Sequence, residues 1–111
     1  MSNTIYPKRG EIFLINLNPS IGGEIKFMRP CLVISPDELN DNSSTIIVVP
    51  MTTGNHNYPF RIPCTFAGKH GHLILDQLKA VDKSRLIEYK GTIDTQTLEQ
   101  ALNILQEMFA L

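Results

Sequence analysis

The sequence has little of what marks several common classes of protein. Its 111 residues include no tryptophan, two cysteines and three histidines, and 19% of them are charged. No apolar run approaches the roughly 20 residues that a membrane-spanning helix needs. The formal net charge of -1 argues against a strongly basic protein that coats nucleic acid without specificity.

The cysteines and histidines also argue against a disulfide framework and against a metal site. Cys31 and Cys64 lie in apolar, strand-like segments, which suits reduced, packed thiols better than a disulfide framework or a metal site. His56, His70 and His72 lack a matching partner at metal-ligand spacing. We therefore expect no metal and no other cofactor.

The length predicts one domain covering residues 1–111. The first ten residues lack the apolar core of a secretory signal, so a cytoplasmic location is expected. The segment from Asp94 onward contains acidic residues but no Lys or Arg, which leaves the rest of the chain slightly basic. A local basic groove is therefore compatible with a nearly neutral protein.

Short apolar and β-branched segments separated by turn residues predict about six strands. They lie at 9–19, 31–35, 45–53, 58–66, from 72 onward and at 87–92. Pro50 should mark an edge or bend of the third strand, and 58–66 should form an edge strand or hairpin arm before a turn at 67–71. Residues 36–44 predict a short helical turn. Such short connections favour a small, largely antiparallel, curled sheet.

The last segment changes to a helical period, with Asp94 as a candidate N-cap. One apolar stripe comprises Leu98, Ala101, Leu102, Leu105 and Phe109. Ile104 and Met108 widen this face, either for more contact with the sheet or for contact with a second subunit. The predicted fold is therefore mainly β with a C-terminal helix.

Arg29 stands where a polar, glycine-containing loop turns into a buried strand, in the run RPCLVISPDELN. A mobile loop beside a rigid strand is a common layout for a binding site. A guanidinium group can donate two parallel hydrogen bonds to a phosphate. Arg29 is therefore a candidate ligand for a phosphate group.

Several short signatures in fixed order resemble the MazF/PemK family of toxin endoribonucleases. They are RGEIFLINLNP, GGEIKFMRPCLVISPDELN, IIVVPMTT, YPF and LILDQLKAVDKSRL, followed by an amphipathic helix. The resemblance runs from about Arg9 to the C-terminus. It implies a small SH3-like antiparallel β-barrel of the MazF/PemK/CcdB type, assembled as a homodimer.

The resemblance also implies an activity. Such proteins cleave single-stranded mRNA at short sequence motifs, without a metal and without the ribosome, and thereby inhibit translation and growth. The implied products carry a 2′,3′-cyclic phosphate and a 5′-hydroxyl. A MazE-like antitoxin is the implied partner, DNA is reached only through the antitoxin complex, and no membrane is involved.

The implied catalytic residues are Arg29, Thr52 and Glu24. RNA cleavage of this kind needs a base for the 2′-hydroxyl, stabilisation of the phosphorane and a proton for the leaving oxygen. Arg29 suits the phosphate and can donate to the leaving oxygen, but it stays protonated and is a poor base. Glu24 is a candidate base, although a loop carboxylate is often only solvated. Thr53 is as good a hydroxyl on sequence grounds, and the position in the PMTT signature favours Thr52.

Candidate substrate-binding residues surround these positions: Lys26, Phe27, Met28, Thr53, Asp76 and Gln77. Phe27 and Met28 can stack on unpaired bases, but they can equally cover the barrel or contact the antitoxin. Asp76 can instead hold a turn. Gly23 and Ile25 stand where the family often has Ser and Gln, which predicts an altered cleavage motif.

Two other classes of function compete with a nuclease. A CcdB-like toxin would bind DNA gyrase through its C-terminal residues, but such proteins typically end in a helix with tryptophan, which this chain lacks. A plain interaction module built on a small barrel would explain the fold. It would not explain why Glu24, Arg29 and Thr52 occur together.

Overall fold

The computed structural model describes residues 6–53 and 58–111. The described residues form seven strands, two α-helices and two 3-10 turns at Leu75–Gln77 and Lys83–Arg85. The strands are β1 Glu11–Asn16, β2 Met28–Val33, β3 Thr45–Thr53, β4 Arg61–Phe66, β5 Lys69–Ile74, β6 Lys79–Asp82 and β7 Leu86–Thr92. The helices are α1 Asp37–Asn42 and α2 Thr95–Phe109.

The strands form one antiparallel sheet in the order β4-β5-β3-β2-β1-β7, and β6 pairs with β3 beside this path. This confirms the predicted mainly β fold with a C-terminal helix. No pairing between β4 and β7 closes the path in the described residues. The two ends of the strand path nonetheless approach each other, since the ring of Phe66 at the end of β4 lies against Gly91 of β7.

Strand β3 is the predicted central strand, and Pro50 lies inside it rather than at its end. β3 pairs with β6 as far as Val48 and with β5 from Met51 onward. Pro50 therefore falls where the strand changes partner, so its missing N–H removes no hydrogen bond to either of those neighbours. Its other side pairs with Cys31 of β2.

Several predicted strand boundaries were wrong. β1 is shorter than the predicted 9–19, β2 ends at Val33 rather than at residue 35, and β4 begins at Arg61 rather than at residue 58. β2 begins at Met28 rather than Cys31, because β1 stays paired through Asn16 and its antiparallel register carries β2 back past the Arg29–Pro30 step. β5 begins at Lys69 rather than His72. The turn before it is tight, with Ala67 and Gly68 at φ values of +52° and +76°, which suits a two-residue hairpin.

The predicted edge strand, helical turn and closing helix are confirmed. β4 ends the strand path as one arm of a hairpin with β5, and α1 occupies the predicted helical turn. The Asp94 carboxylate caps α2 by accepting a hydrogen bond from the Thr97 backbone N–H at 2.9 Å. The count of about six strands missed β6 as a separate element.

The sheet has an apolar cluster on each face because successive strand residues point to opposite sides. One cluster includes Ile12, Leu32, Val49 and Leu73 and is covered by α2. The other contains Ile15, Cys31, Val33, Ile46 and Val48.

Helix α2 packs with the predicted stripe except at its last residue. Ala101 and Leu105 are buried, whereas Phe109 is 69% exposed, so its placement in the buried stripe was wrong. Ile104 and Met108 pack against the core instead. Because Ile104 and Met108 make the contacts between the last turns of α2 and the core, Phe109 lies outside the buried face. No described helix is long and apolar enough to cross a membrane.

Candidate active site

Arg29 and Thr52 lie beside each other at the ends of β2 and β3. Cys31 pairs with Pro50 in the antiparallel register, so Arg29 and Thr52 each stand two residues beyond that pair. Two residues along a strand return the side chain to the same face. Both residues line one cavity of about 310 Å³.

The walls of this cavity favour an anion. They comprise Arg29, Pro30, Met51, Thr52, Thr53, Cys64, Phe66, Ala67, Lys69, His70, Gly71 and Lys90. Three of these side chains are cationic, and no lining residue in the described part of the chain is acidic. Sequence reasoning missed Lys69 and Lys90, because only the β4–β5 turn and the curl of the sheet bring them to Arg29. Glu88 pairs with Lys90 at 3.6 Å, so an anionic ligand such as phosphate would meet its positive charge here mainly from Arg29 and Lys69.

The Arg29 side chain is half-buried, and one of its nitrogens is already engaged. Its Nε donates to the backbone carbonyl of Lys26 at 3.1 Å. The two terminal amino groups have no hydrogen-bond or ion-pair partner within residues 6–53 and 58–111. The part of the guanidinium that binds a phosphate in bidentate fashion is therefore available to a ligand.

The two threonines differ in exposure. Thr52 is buried, at 9% exposed, and its hydroxyl donates to the Thr53 carbonyl at 3.1 Å. Thr53 is exposed. Both line the cavity, so neither is separated from Arg29 by the fold. Gly71 of β5 lies so close to the Thr52 carbonyl that an added Cβ would overlap it.

Glu24 lies in a neighbouring cleft rather than in the Arg29 cavity. This cleft, of about 460 Å³, is also lined by Leu17, Asp76, Gln77 and Lys79. The Glu24 carboxylate accepts a hydrogen bond from the Ile21 backbone N–H at 2.8 Å. The fold thus brings Arg29, Thr52 and Thr53 together and places the predicted base with Asp76 and Gln77.

Lys26, Phe27 and Met28 are exposed, and in sequence they lie between Glu24 and Arg29. Phe27 has a φ of +68°, which is unusual for a residue with a side chain. Its N–H donates to the Asn18 side chain, and its carbonyl accepts from the Leu17 N–H, both at 3.1 Å. These bonds hold the backbone so that the ring is 63% exposed.

Asp76 and Gln77 both have partners within the protein. The Asp76 carboxylate accepts two hydrogen bonds from the Arg61 guanidinium, at 2.9 and 3.0 Å, and this pairing lowers the pKa of Asp76. Arg61 also lies 4.7 Å from the centre of the Tyr58 ring. The Gln77 amide bonds to the Gly23 carbonyl and the Ile25 N–H.

Neither cysteine has the lowered pKa of a nucleophilic thiol. Both cysteines are free, and burial raises the pKa of Cys31 to about 12 although Lys79 acts in the opposite direction. Burial, and to a lesser degree Asp94, also raises the pKa of Cys64. Both thiols are therefore protonated near neutral pH. No cluster of three His, Cys, Asp or Glu residues suited to a metal ion occurs among the described residues; His56 lies outside them.

Curated relatives match this chain over nearly its full length. It is 28% identical over 109 residues to "Endoribonuclease toxin MazF" of Escherichia coli K12, covering 95% of this chain and 98% of that protein. It is 30% identical over 111 residues to "Endoribonuclease EndoA" of Bacillus subtilis 168, covering 94% and 95%.

Solved structures share the fold. MazF from Deinococcus radiodurans superposes with a TM-score of 0.86 at 24% identity, covering 97% of this chain and 100% of that one. A MazE–MazF structure from the same organism superposes with a TM-score of 0.78 at 22% identity, covering 97% and 99%. The profile of the PemK-like, MazF-like toxins of type II toxin–antitoxin systems matches residues 8–109. Because that match spans nearly the whole chain, the protein belongs to the PemK/MazF family of toxins.

Proposed function

We propose that this protein is an endoribonuclease toxin that cleaves single-stranded mRNA at short sequence motifs, without a metal or the ribosome. The endoribonuclease class rests on the family and on the names of its relatives. The observation that carries the finer proposal is the cavity where Arg29 and Thr52 meet among cations without an acidic lining residue. Cleavage in the cell inhibits translation and growth.

The proposed reaction is an intramolecular displacement at phosphorus. The 2′-oxygen forms a bond to phosphorus, and the bond from phosphorus to the 5′-oxygen breaks. A base takes the 2′-hydroxyl proton, and an acid gives a proton to the 5′-oxygen. The products are a 2′,3′-cyclic phosphate and a 5′-hydroxyl, so no external oxidant or cofactor is consumed.

In this proposal Arg29 binds the phosphate oxygens through its two terminal amino groups and stabilises the added charge. It can also protonate the leaving oxygen, a step in which the guanidinium loses a proton to that oxygen and regains one from solvent. Proton abstraction is harder to assign to it, because the protonated guanidinium has no acceptor site. Thr52 contributes a hydroxyl at the same cavity wall. Thr53 is the alternative, since its hydroxyl lines the cavity and is more exposed.

Glu24 is the proposed base, with one structural requirement. Its carboxylate accepts from the Ile21 N–H and lines the neighbouring cleft, so the side chain must give up this bond and turn toward the Arg29 cavity when RNA binds. Side-chain rotamer changes on binding are common and need no movement of the backbone. If the side chain stays in place, Glu24 serves only to close its own turn.

Exposed side chains of the loop are proposed to bind the RNA strand. Phe27 and Met28 offer apolar surface to unpaired bases, and Lys26 offers charge to the backbone. Asp76 and Gln77 remain predicted substrate contacts, although both already bond to other parts of the protein. Gly23 and Ile25 supply no polar side chain, which should alter or weaken base discrimination.

The partners are proposed from the same relationship. Structures of MazE with MazF are among the folds that match, so we propose a MazE-like antitoxin and contact with DNA only through that complex. We also propose a homodimer of single-domain protomers in the cytoplasm, with no membrane. Phe109, at 69% exposed, offers apolar surface at the end of α2 for such contacts.

Cleavage of a long, unstructured RNA by the purified protein in EDTA tests the proposal. We expect cuts at a limited set of sites with cyclic phosphate and 5′-hydroxyl ends, and their loss in Arg29→Ala. Lys8→Ala is the matched control, because it removes an exposed cation outside the cavity lining. Absence of cleavage of any RNA would overturn the enzyme proposal and favour a CcdB-like gyrase-binding toxin or a binding module.

A further inference from the structure

The loop between β1 and β2 is held by a side chain from a distant part of the sequence. The Gln77 side-chain oxygen accepts from the Ile25 N–H at 2.8 Å. Its amide nitrogen donates to the Gly23 carbonyl at 3.2 Å. One amide group thus fixes the backbone on both sides of Glu24.

The same stretch of backbone orients Arg29. Lys26 follows Ile25 directly, and its carbonyl accepts the hydrogen bond from Arg29 Nε. The guanidinium group is planar, so a bond at Nε restricts the direction of both terminal amino groups. The position of the Lys26 carbonyl therefore determines where Arg29 can bind a phosphate.

Other contacts hold the loop but do not replace Gln77. The Ser20 hydroxyl, within the loop, lies 2.9 Å from the Leu17 carbonyl and 3.1 Å from the Ile25 carbonyl, so its single proton is shared between these two acceptors. Arg85 donates to the carbonyls of Asn16 and Asn18, near the start of the loop. Among the described residues beyond β2, Gln77 is the side chain that hydrogen-bonds to the backbone of residues 23–25.

We propose that Gln77 is a positioning residue for Arg29, acting through the Ile25–Lys26 backbone. This inference rests on the proposed function and deepens it. Both ends of the amide serve the loop, so this inference replaces the direct RNA contact predicted for Gln77 with an action through Arg29. Its loss lets the Lys26 carbonyl move and leaves the guanidinium without a fixed direction.

Two substitutions at this position separate its two hydrogen bonds. Gln77→Leu removes both bonds at similar side-chain size, and Gln77→Glu keeps an acceptor for the Ile25 N–H but loses the donor to Gly23. We expect kcat to fall by about 10- to 100-fold in Gln77→Leu and less in Gln77→Glu, with a smaller change in KM. Gln100→Leu, on the exposed face of α2, is the matched control and should leave kcat unchanged.

A double-mutant cycle with Arg29→Lys tests whether Gln77 acts through Arg29. Lysine keeps the positive charge but has no Nε donor to the Lys26 carbonyl and no fork. We expect Gln77→Leu to cost much less in the Arg29→Lys background than in the wild type. If the kcat losses of the two single variants simply multiply in the double variant, or if Gln77→Leu changes only KM, the positioning role is overturned and direct RNA contact is indicated.

Amide hydrogen exchange without RNA supplies a readout independent of cleavage. The Ile25 amide should exchange faster in Gln77→Leu than in the wild type or in Gln100→Leu, while amides of β2 and β3 keep their protection. Unchanged exchange at Ile25 would overturn the proposed tether. If the wild type cleaves no RNA, the proposed function is overturned. If the wild type is active but the losses of the two variants multiply, only the role of Gln77 is overturned.

Discussion

The strand ends that hold Arg29 and Thr52 and the loop that holds Glu24 are stabilised in different ways. β2 and β3 are fixed by backbone pairing and by buried side chains on both faces of the sheet. The loop is fixed mainly by side-chain hydrogen bonds from Ser20, Glu24 and Gln77. Single side chains can therefore alter the loop without unfolding the sheet.

This difference suits a site that must bind a flexible strand. Arg29, which is proposed to bind the phosphate, extends from the rigid strand β2. Glu24, the candidate base, and the exposed Phe27 belong to the loop, which has fewer buried contacts. Segments that move on binding come from the less stable parts of a protein. Substitutions in the two regions should therefore separate activity from stability.

Arg29→Ala should give the largest effect on activity with little effect on folding. We expect cleavage to fall by about 10³-fold, within the range seen when a charge-stabilising group is removed. The free energy of unfolding should stay nearly the same, because Arg29 makes one exposed hydrogen bond to the Lys26 carbonyl. RNA cleavage and urea denaturation measure the two quantities. Equal losses in both would show that Arg29 is structural.

Gly71→Ala should disturb the rigid region and so change stability and activity together. The added Cβ overlaps the Thr52 carbonyl, so β3 and β5 must separate at a cost of about 1 to 3 kcal/mol. Urea denaturation and cleavage should both record the change. Gly23→Ala is the stability control, because its Cβ meets no atom within 4 Å; a neutral Gly71→Ala would contradict the tight packing.

High salt should slow association with the antitoxin. An acidic, disordered segment lying near Lys26, Arg29 and Lys79 would be attracted by charge. We expect the association rate to fall by roughly tenfold between low and high ionic strength, while dissociation changes less. Stopped-flow measurements over a salt series test this. A flat series would exclude electrostatic steering.

Asp76→Asn should produce the smallest effect, which appears mainly in the pH dependence of stability. The Arg61 hydrogen bonds lower the pKa of Asp76 in the folded state, so this group stabilises the fold above its unfolded pKa of about 3.9. That stability is lost as the pH falls through the folded pKa. We expect a loss of less than about 1 kcal/mol near pH 7, because the pair is partly exposed.

Urea denaturation at several pH values below 6 measures this loss and should give a shallower acid dependence in Asp76→Asn than in the wild type. Asp82 and Asp94 act in the same direction, because bonds from Ser84 and Thr97 lower their pKa values. Part of the acid dependence will therefore persist. Asp41→Asn removes an exposed carboxylate and serves as the control. Identical curves for Asp76→Asn and the wild type would contradict the pairing.

Local patterns and the family signatures together predicted much of the fold. Alternation placed β1, a β-branched run placed β3, the period change placed α2, and the cap at Asp94 was predicted from residue type. The start of β2 was missed because a polar Arg-Pro step breaks the apolar pattern while β1 still supplies partners. Strand pairing, not composition, extended that strand to Met28.

The site was predicted less completely than the fold. Arg29, Thr52 and Thr53 were chosen from the signatures, and all three line the same cavity. Lys69 and Lys90 were missed because neither lies in a motif that points to phosphate. The separate cleft of Glu24 was also unforeseen, since five residues of sequence separation from Arg29 give no information on which way a loop side chain turns.

The sequence by itself determined the antiparallel strands, the capped helix and the family, because these depend on residue periodicity, turn chemistry and short ordered motifs. Only the tertiary structure decided that Gln77 fastens the loop from 52 and 54 residues away and that Lys69 and Lys90 join Arg29. The reason is physical: hydrogen bonds and electric fields act between neighbours in space, and curling the sheet makes neighbours of residues that are distant in sequence.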